Sequence, residues 1–444
     1  MADLQPFWGR SVVSGYDSDT LIAGGQMMKK SIAVAAIGLW GGLATGPALS
    51  ADMPVKAPPV QIASSWAGFY LGAHLGYGYA VTSVSDIGLS EQFIGVGGRG
   101  FTAGALVGYN TMLSSRWVGG IEADGNWQDI KSKVSFGGPQ EEFLKLGWSA
   151  SIRGRLGFLV TPSTMMFVTA GWAWTRFQAS EELTTINGAQ AGFGVETVLS
   201  GNWVSRTEYL HTFNNAVHDI EVGTVKPWVG VIRSALIYKV SPHSAVAWPD
   251  RPVRTKWTGL YAGAVVGPAS ASAQIRAAIP QQGTLVFDGI GVSAVLPTGV
   301  LGYNMQVAPN WVVGIEGEAA PNIATSDVKV EWTGNVHGRV GYLLTPNTLA
   351  YGLLGWGTVG AKVGGVFNQV PFPITIPRVN ALLWGGGVEA AVTDNWRLRA
   401  DFQEGVTANV NVTVLDENGA PFPLTVKARG HTGRLGVIYQ FGGP

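Results

Sequence analysis

The sequence predicts an all-β chain: two tandem transmembrane antiparallel β-barrels of eight strands each. Three observations carry that prediction. The second half repeats the first, each repeated block alternates in hydrophobicity, and short connections alternate with long ones. The repeat is plain in the residues. WAGFYLGAHLGYG from Trp66 returns as WTGLYAGAVVGPA from Trp257. ALVGYNTMLSSRWVGGIEAD (105–124) returns as GVLGYNMQVAPNWVVGIEGE (299–318). SIRGRLGFLVTPSTMMFVTAGWAW (151–174) returns as NVHGRVGYLLTPNTLAYGLLGWGT (335–358). VETVLSGNWVSRTEY (195–209) returns as VEAAVTDNWRLRADF (388–402), and IRSALIYKV (232–240) as GRLGVIYQF (433–441). A period of about 190 residues is too long for a solenoid and marks two copies of one domain.

The strands follow in order. A strand points successive side chains to opposite faces. From Trp66, Ala67, Phe69, Leu71, Ala73, Leu75, Tyr77 and Tyr79 share one face; Gly68, Tyr70, Gly72, His74, Gly76 and Gly78 share the other. The second strand sets Phe101, Ala103, Ala105, Val107 and Tyr109 against Thr102, Gly104, Gly108 and Asn110. The third sets Trp117, Ile121, Ala123 and Trp127 against Glu122, Asp124, Asn126 and Gln128. The fourth sets Trp148, Ala150, Ile152, Leu156 and Phe158 against Ser149, Ser151, Arg153 and Arg155. Four more run near 164–178, 190–200, 202–214 and 228–240. Short turns fall at 113–115, 161–163 and 200–202. Long connections are expected near 82–97, 129–146, 179–189 and 214–227, with counterparts near 270–296 and 405–430. Short turns on one side and long loops on the other fit an outer-membrane barrel. Trp66, Trp117, Trp127, Trp148, Trp203 and Trp228 stand near strand ends, where interfacial girdles belong. A soluble sandwich or lipocalin-like barrel shares the alternation, but turns its apolar face inward.

Composition agrees. The 444 residues include 63 glycines, 17 tryptophans and no cysteine; 13% are charged, and the formal net charge is zero. Soluble chains carry about 25% charge. Balanced, sparse charge gives no reason to expect a nucleic-acid partner, and without cysteine there are no disulfides or thiolate metal sites. Met27-Met28-Lys29-Lys30, the apolar run Ser31–Gly46 and the small residues before Ala51 read as a signal peptide, 27–51. Residues 1–26 precede it without targeting logic and read as an over-extended gene start. Residues 52–65 form a periplasmic lead-in, 66–240 the first barrel, 241–256 a periplasmic linker and 257–441 the second barrel.

WAGFYLGAHLGYGYA after ADMPVKAPP, then RLGFLVTPSTMMFVTAGWAW and the terminal GRLGVIYQF, resemble the small outer-membrane β-barrel (porin-family) proteins of alphaproteobacteria. The resemblance spans 66–240 and 257–441. It implies a Gram-negative cell outer membrane, eight-stranded barrels, contact with lipid and lipopolysaccharide, and insertion by the barrel-assembly machinery, with a final-strand aromatic as the assembly signal. Here that signal is Tyr439 and Phe441; the first unit has Tyr238 but ends in Val240. Some members bind haem, so ligand binding by surface loops is one functional alternative. A general diffusion porin made of one sixteen-stranded barrel is another. Sixteen linker residues can reach about 50 Å, which suits two neighbouring barrels.

The inward positions carry both signs. The first unit has Glu122, Asp124, Arg153, Arg155, Glu196, Arg206, Glu208 and Arg233; the second has Glu316, Glu318, Arg339, Glu389, Arg397, Arg399, Asp401 and Arg434. His337 stands where Arg153 stood. Charges in a water-poor lumen must be paired, and eight strands leave room only for side chains. The expectation is an ion-pair plug, with a narrow polar pore as its rival. His74, His211, His218, His243, His337 and His431 show no metal-ligand spacing; His74 and His337 should face a lumen, His218 and His431 outer loops. Ser85-Asp86 and His218-Asp219 do not make a triad, and the glycine pairs at 97–98 and 137–138 precede no helix. The sequence thus predicts an outer-membrane protein with a structural surface role and at most weak permeability. No enzyme activity, cofactor or metal is expected, and the oligomeric state is left open.

Overall fold

The computed structural model describes residues 62–64, 66–85, 93–136, 139, 141–179, 182–219, 223–240, 245–247, 255–279, 283–324, 328–363, 366–367, 370–371, 374–415 and 421–442. The expectations for 1–61 and for most of the linker lie outside the described residues.

Among the described residues every regular element is a strand. The first unit runs β1 Gly68–Ser85, β2 Phe93–Met112, β3 Trp117–Gln128 (continued by Ile130–Phe136), β4 Glu141–Thr161, β5 Thr164–Ala179, β6 Glu182–Ser200, β7 Trp203–Asn214 and β8 Gly223–Lys239. Each pairs antiparallel with the next. β8 then returns to β1, from Thr224↔Ser85 to Lys239↔Tyr70, and the Val240 amide donates to the Phe69 carbonyl at 2.9 Å. Unit one therefore closes on itself despite Val240.

The second unit repeats the course: β9 Gly259–Ile279, β10 Gly283–Ala308, β11 Trp311–Ala320, β12 Thr333–Thr345, β13 Thr348–Val363, β14 Ile374–Ala391, β15 Trp396–Thr407 (continued by Val410–Leu415) and β16 Pro421–Gln440. β16 pairs with β9 from Tyr261↔Gln440 to Ala277↔Leu424. The chain is two eight-stranded rings, and the single sixteen-stranded ring is ruled out. Closing each ring satisfies every strand edge, which an apolar solvent requires.

The rings touch. Val134–Phe136 pairs antiparallel with Leu285–Phe287, one β-hairpin extension against another. Ile62–Ser64 also pairs with Ala245–Ala247, so lead-in and linker form a two-stranded ribbon.

Parity is as alternation requires. Phe69, Leu75, Trp127 and Trp356 on the outer wall are 59%, 65%, 59% and 67% exposed, while the inward charges are buried. Four expectations need correction. The long connections near 129–146, 179–189, 270–296 and 405–430 are largely strand: the hairpins simply continue past the barrel. Trp66 is no girdle residue. Its indole donates to the Pro162 carbonyl at 3.2 Å and lies buried across the short-turn mouth; Trp257 does the same to Pro346 at 3.0 Å. His431 lies within β16 on the outer wall instead of in a loop, and Tyr79, expected against lipid, is buried beside it.

Candidate functional site: the two ion-paired lumens

In barrel one all eight of the charges expected to face inward join one network. Glu122 on β3 accepts from Arg153 at 2.7 Å and Arg206 at 2.6 Å. Arg206 also reaches Glu208 at 3.3 Å, and Glu208 accepts from Arg233 at 3.0 Å. Arg233 bonds Asp124 at 2.6 Å, and Asp124 accepts from Arg153 at 2.7 Å. The circuit Arg153–Glu122–Arg206–Glu208–Arg233–Asp124 is closed. Arg155 and Glu196 extend it: Arg155 lies 3.5 Å from Glu122 and 2.6 Å from Glu196, which Arg206 also meets at 2.7 Å. A buried charge is tolerated only when paired and hydrogen-bonded, and here each carboxylate has at least two cationic neighbours.

Neutral groups complete the network, and the sequence reading did not single them out. Tyr70 donates to Glu122 at 2.8 Å and accepts from Arg155 at 2.8 Å. Gln190 accepts from Arg153 at 2.6 Å, and Asn126 from Arg233 at 3.0 Å. His74 faces the lumen as expected and lies 3.2 Å from Arg233. Tyr70 and Asn126 do lie on the inward parity, which was the signal available.

Apolar layers bound this network. Towards the hairpin extensions lie Ala80, Val96, Ile130, Leu144, Leu146, Phe177, Ile186, Val225 and Val229. Towards the short turns lie Trp66, Leu106, Val118, Leu159, Met165, Val204 and Ile237. Lys239 stands 4.0 Å over the Trp66 ring, a cation–π contact that closes the mouth.

Barrel two keeps the positions and changes the wiring. Glu316 accepts from Arg399 at 2.6 Å, Arg339 at 3.2 Å and His337 at 2.8 Å. Glu389 accepts from Arg339 at 2.6 Å and Arg399 at 2.7 Å, and lies 3.7 Å from Arg397. Arg434 binds Asp401 at 2.8 Å and Glu318 at 2.9 Å, while Arg399 and Asp401 are 3.9 Å apart. Tyr261 repeats Tyr70, donating to Glu316 at 2.7 Å. His337 bonds Glu316 only, so Glu318 takes the Gln403 amide at 3.0 Å instead, and the circuit stays open there. The donor atoms of Glu316, Glu318 and His337 lie within 4.8 Å of one another. Both carboxylates are already engaged by arginine, which argues against a metal at that point. Arg397 sits 4.3 Å over Trp257 and donates to the Lys256 carbonyl at 2.6 Å.

Tyr439 and Phe441, the expected assembly signal, stack edge-on at 5.2 Å on the outer wall, with Trp396 4.9 Å from Tyr439.

The outer membrane protein beta-barrel domain matches residues 42–225. The 22 kDa outer membrane protein of Rhizobium leguminosarum is 32% identical over 171 residues, which is 37% of this chain and 73% of the relative. The chain belongs to this outer-membrane β-barrel family. The 25 kDa outer-membrane immunogenic protein of Brucella abortus is 32% identical over 186 residues, 40% of this chain and 81% of that one. The 31 kDa outer-membrane immunogenic protein of Brucella melitensis is 29% identical over 192 residues, 37% and 80%. Among solved structures, the Ail protein of Yersinia pestis aligns with 41% of this chain and 99% of its own (15% identity, TM-score 0.24). The Pseudomonas putida toluene transporter TodX aligns with 87% and 92% (11%, TM-score 0.27). The family places the chain in the cell outer membrane of a Gram-negative bacterium.

Proposed function

We propose that this protein is a structural, surface-displayed component of the outer membrane whose two lumens are closed to solutes. The closed ion circuit of barrel one, held between two apolar layers, carries this reading: a solute path would need hydrated charges, and these are bonded to one another. The names of the Brucella relatives, outer-membrane immunogenic proteins, agree with display of the hairpin extensions to the exterior. In this reading 27–51 directs export, the linker 241–256 is periplasmic, lipid and lipopolysaccharide surround the wall, and Tyr439–Phe441 is read by the barrel-assembly machinery. No catalytic role is proposed.

Planar bilayer recording tests it. The intact protein gives no stepwise conductance, whereas Arg153→Ala with Arg206→Ala, which opens the circuit, gives small steps. Regular steps from the intact protein would overturn the reading in favour of a pore.

A further inference from the structure

Four outer-wall residues are covered although they share the parity of lipid-facing neighbours. Tyr79, Tyr209, His211 and His431 are 4%, 3%, 6% and 4% exposed. His211 lies eight residues along its strand from the exposed Trp203, within the roughly 9–11 residues a strand needs to cross a membrane. An imidazole there is costly against lipid. What covers these residues is the other barrel. His431 of β16 stacks on Tyr79 of β1 with ring centroids 3.6 Å apart. A Cβ on Gly433 would lie 2.6 Å from the Tyr209 ring, so only glycine lets the walls approach so closely. At the short-turn end, Thr164 of β5 and Thr348 of β13 bring their hydroxyls to 3.1 Å, both fully buried.

The pairs that meet have a pattern. Thr164 and Thr348 are the same position in the two repeats, in VTPST and LTPNT respectively. Gly230 and His431 are also one position: each pairs across its sheet with equivalent residues, Gly230 with His211 and His431 with Glu404. A Cβ on Gly230 would lie 3.3 Å from His431 Nε2. Equivalent residues facing each other mark an isologous contact around a two-fold axis. An axis along the membrane normal is also what leaves both barrels inserted in one direction.

We infer that the chain is a covalently joined dimer of barrels, packed through one pseudo-two-fold wall whose halves have diverged to fit each other. The partner this wall takes is the other barrel of the same chain. The divergence is visible at the axis, where Gly230 leaves room that the Tyr209 hydroxyl and His431 share. It is visible again where Gly433 replaces Ile232 beneath Tyr209. Identical halves would set histidine against histidine or leave a gap.

The chain has no cysteine, so disulfide trapping in the intact protein is clean. Thr164→Cys with Thr348→Cys is compared with Trp117→Cys with Trp311→Cys. The second pair is also repeat-equivalent and on the outer wall, but its members are 44% and 48% exposed. Under mild oxidation of outer-membrane preparations, the 164/348 pair should form an intramolecular bridge in nearly all molecules and the 117/311 pair in almost none. Equal yields from the two pairs, no bridge at 164/348, or a 164/348 product only at twice the chain mass would each overturn the inference.

Discussion

The two barrels share eight strand positions and differ most in how one arginine is replaced. Arg153 in barrel one bridges Glu122 and Asp124 and so closes the circuit. Its counterpart His337 reaches Glu316 alone, and Glu318 turns to Gln403. A second difference lies at the short-turn mouth. In barrel one the cation over Trp66 is Lys239, on the last strand. In barrel two the same job falls to Arg397, on the strand before. The matching positions are Gln440 and Val204. Inside a filled barrel, then, the requirement is for a charge at a place in space, and either of two strands can deliver it.

The largest expected effect comes from the hubs. Arg206→Ala leaves Glu122, Glu196 and Glu208 each short of a partner and costs barrel one about 3–5 kcal/mol, the scale of breaking a buried ion pair. Arg399→Ala should do the same to barrel two. Urea unfolding in detergent micelles reads both, and an unchanged midpoint would mean a wet lumen.

Exchanging the divergent pair sharpens the comparison. Arg153→His opens the first circuit and should cost about 1.5–3 kcal/mol, as for a lost hydrogen bond to a charged group. His337→Arg supplies the missing bridge to Glu318 and should raise the unfolding midpoint of barrel two. Shifts of the same sign would show that this position does not separate the barrels.

The mouth cation is worth less. Lys239→Gln removes a cation–π contact of about 0.5–2 kcal/mol, and Val204→Arg in the same chain should restore it from the neighbouring strand. If the double variant unfolds no later than Lys239→Gln alone, the two placements are not interchangeable.

The smallest effect lies on the hairpin extension of barrel one, beyond the membrane band. Lys131 bonds Glu142 and also meets Asp129 at 2.9 Å; the Lys131 hydrogen bond, with Lys145 nearby, holds the Glu142 carboxyl below its ordinary range. A depressed carboxylate stabilises the fold above its unfolded pKa and loses that contribution as pH falls through the folded value. Glu142→Gln should therefore speed amide exchange in 130–146 at neutral pH and change it little in acid. Exposed pairs contribute about 0.2–1 kcal/mol, so the change is local. A variant that behaves alike at both pH values would remove the pair from the account.

Much of this was legible because a strand has period two. Once Glu122 and Arg153 fall on the face opposite Ile121 and Ile152, the lumen is assigned and its sign balance can be read. Which arginine meets which acid was not legible, since that depends on register between strands far apart in sequence, as for Arg233 and Asp124. The covered wall was missed for a different reason: lipid and a neighbouring barrel ask for the same parity. The available clue was polarity in the wrong place, with His211, Glu404 and His431 on a face otherwise given to Leu, Val and aromatic residues. Trp66 misled because a tryptophan at a strand end reads as a girdle residue until the Pro162 carbonyl is seen to hold it.

Closure of the circuit in barrel one also acts as a ruler. Arg206 on β7 meets Glu122 on β3, four strands away around the ring, and Arg233 on β8 meets Asp124 on β3. These bonds span the lumen, so they exist only at the diameter that eight strands give. Nothing in the backbone pairing pattern alone stops β8 from continuing into β9 and so merging both repeats into one wide ring. Such a ring would pull the arginines away from their acids and leave them stranded. The side chains that fill the barrel thereby count its strands, and a chain carrying the same eight-strand message twice folds twice.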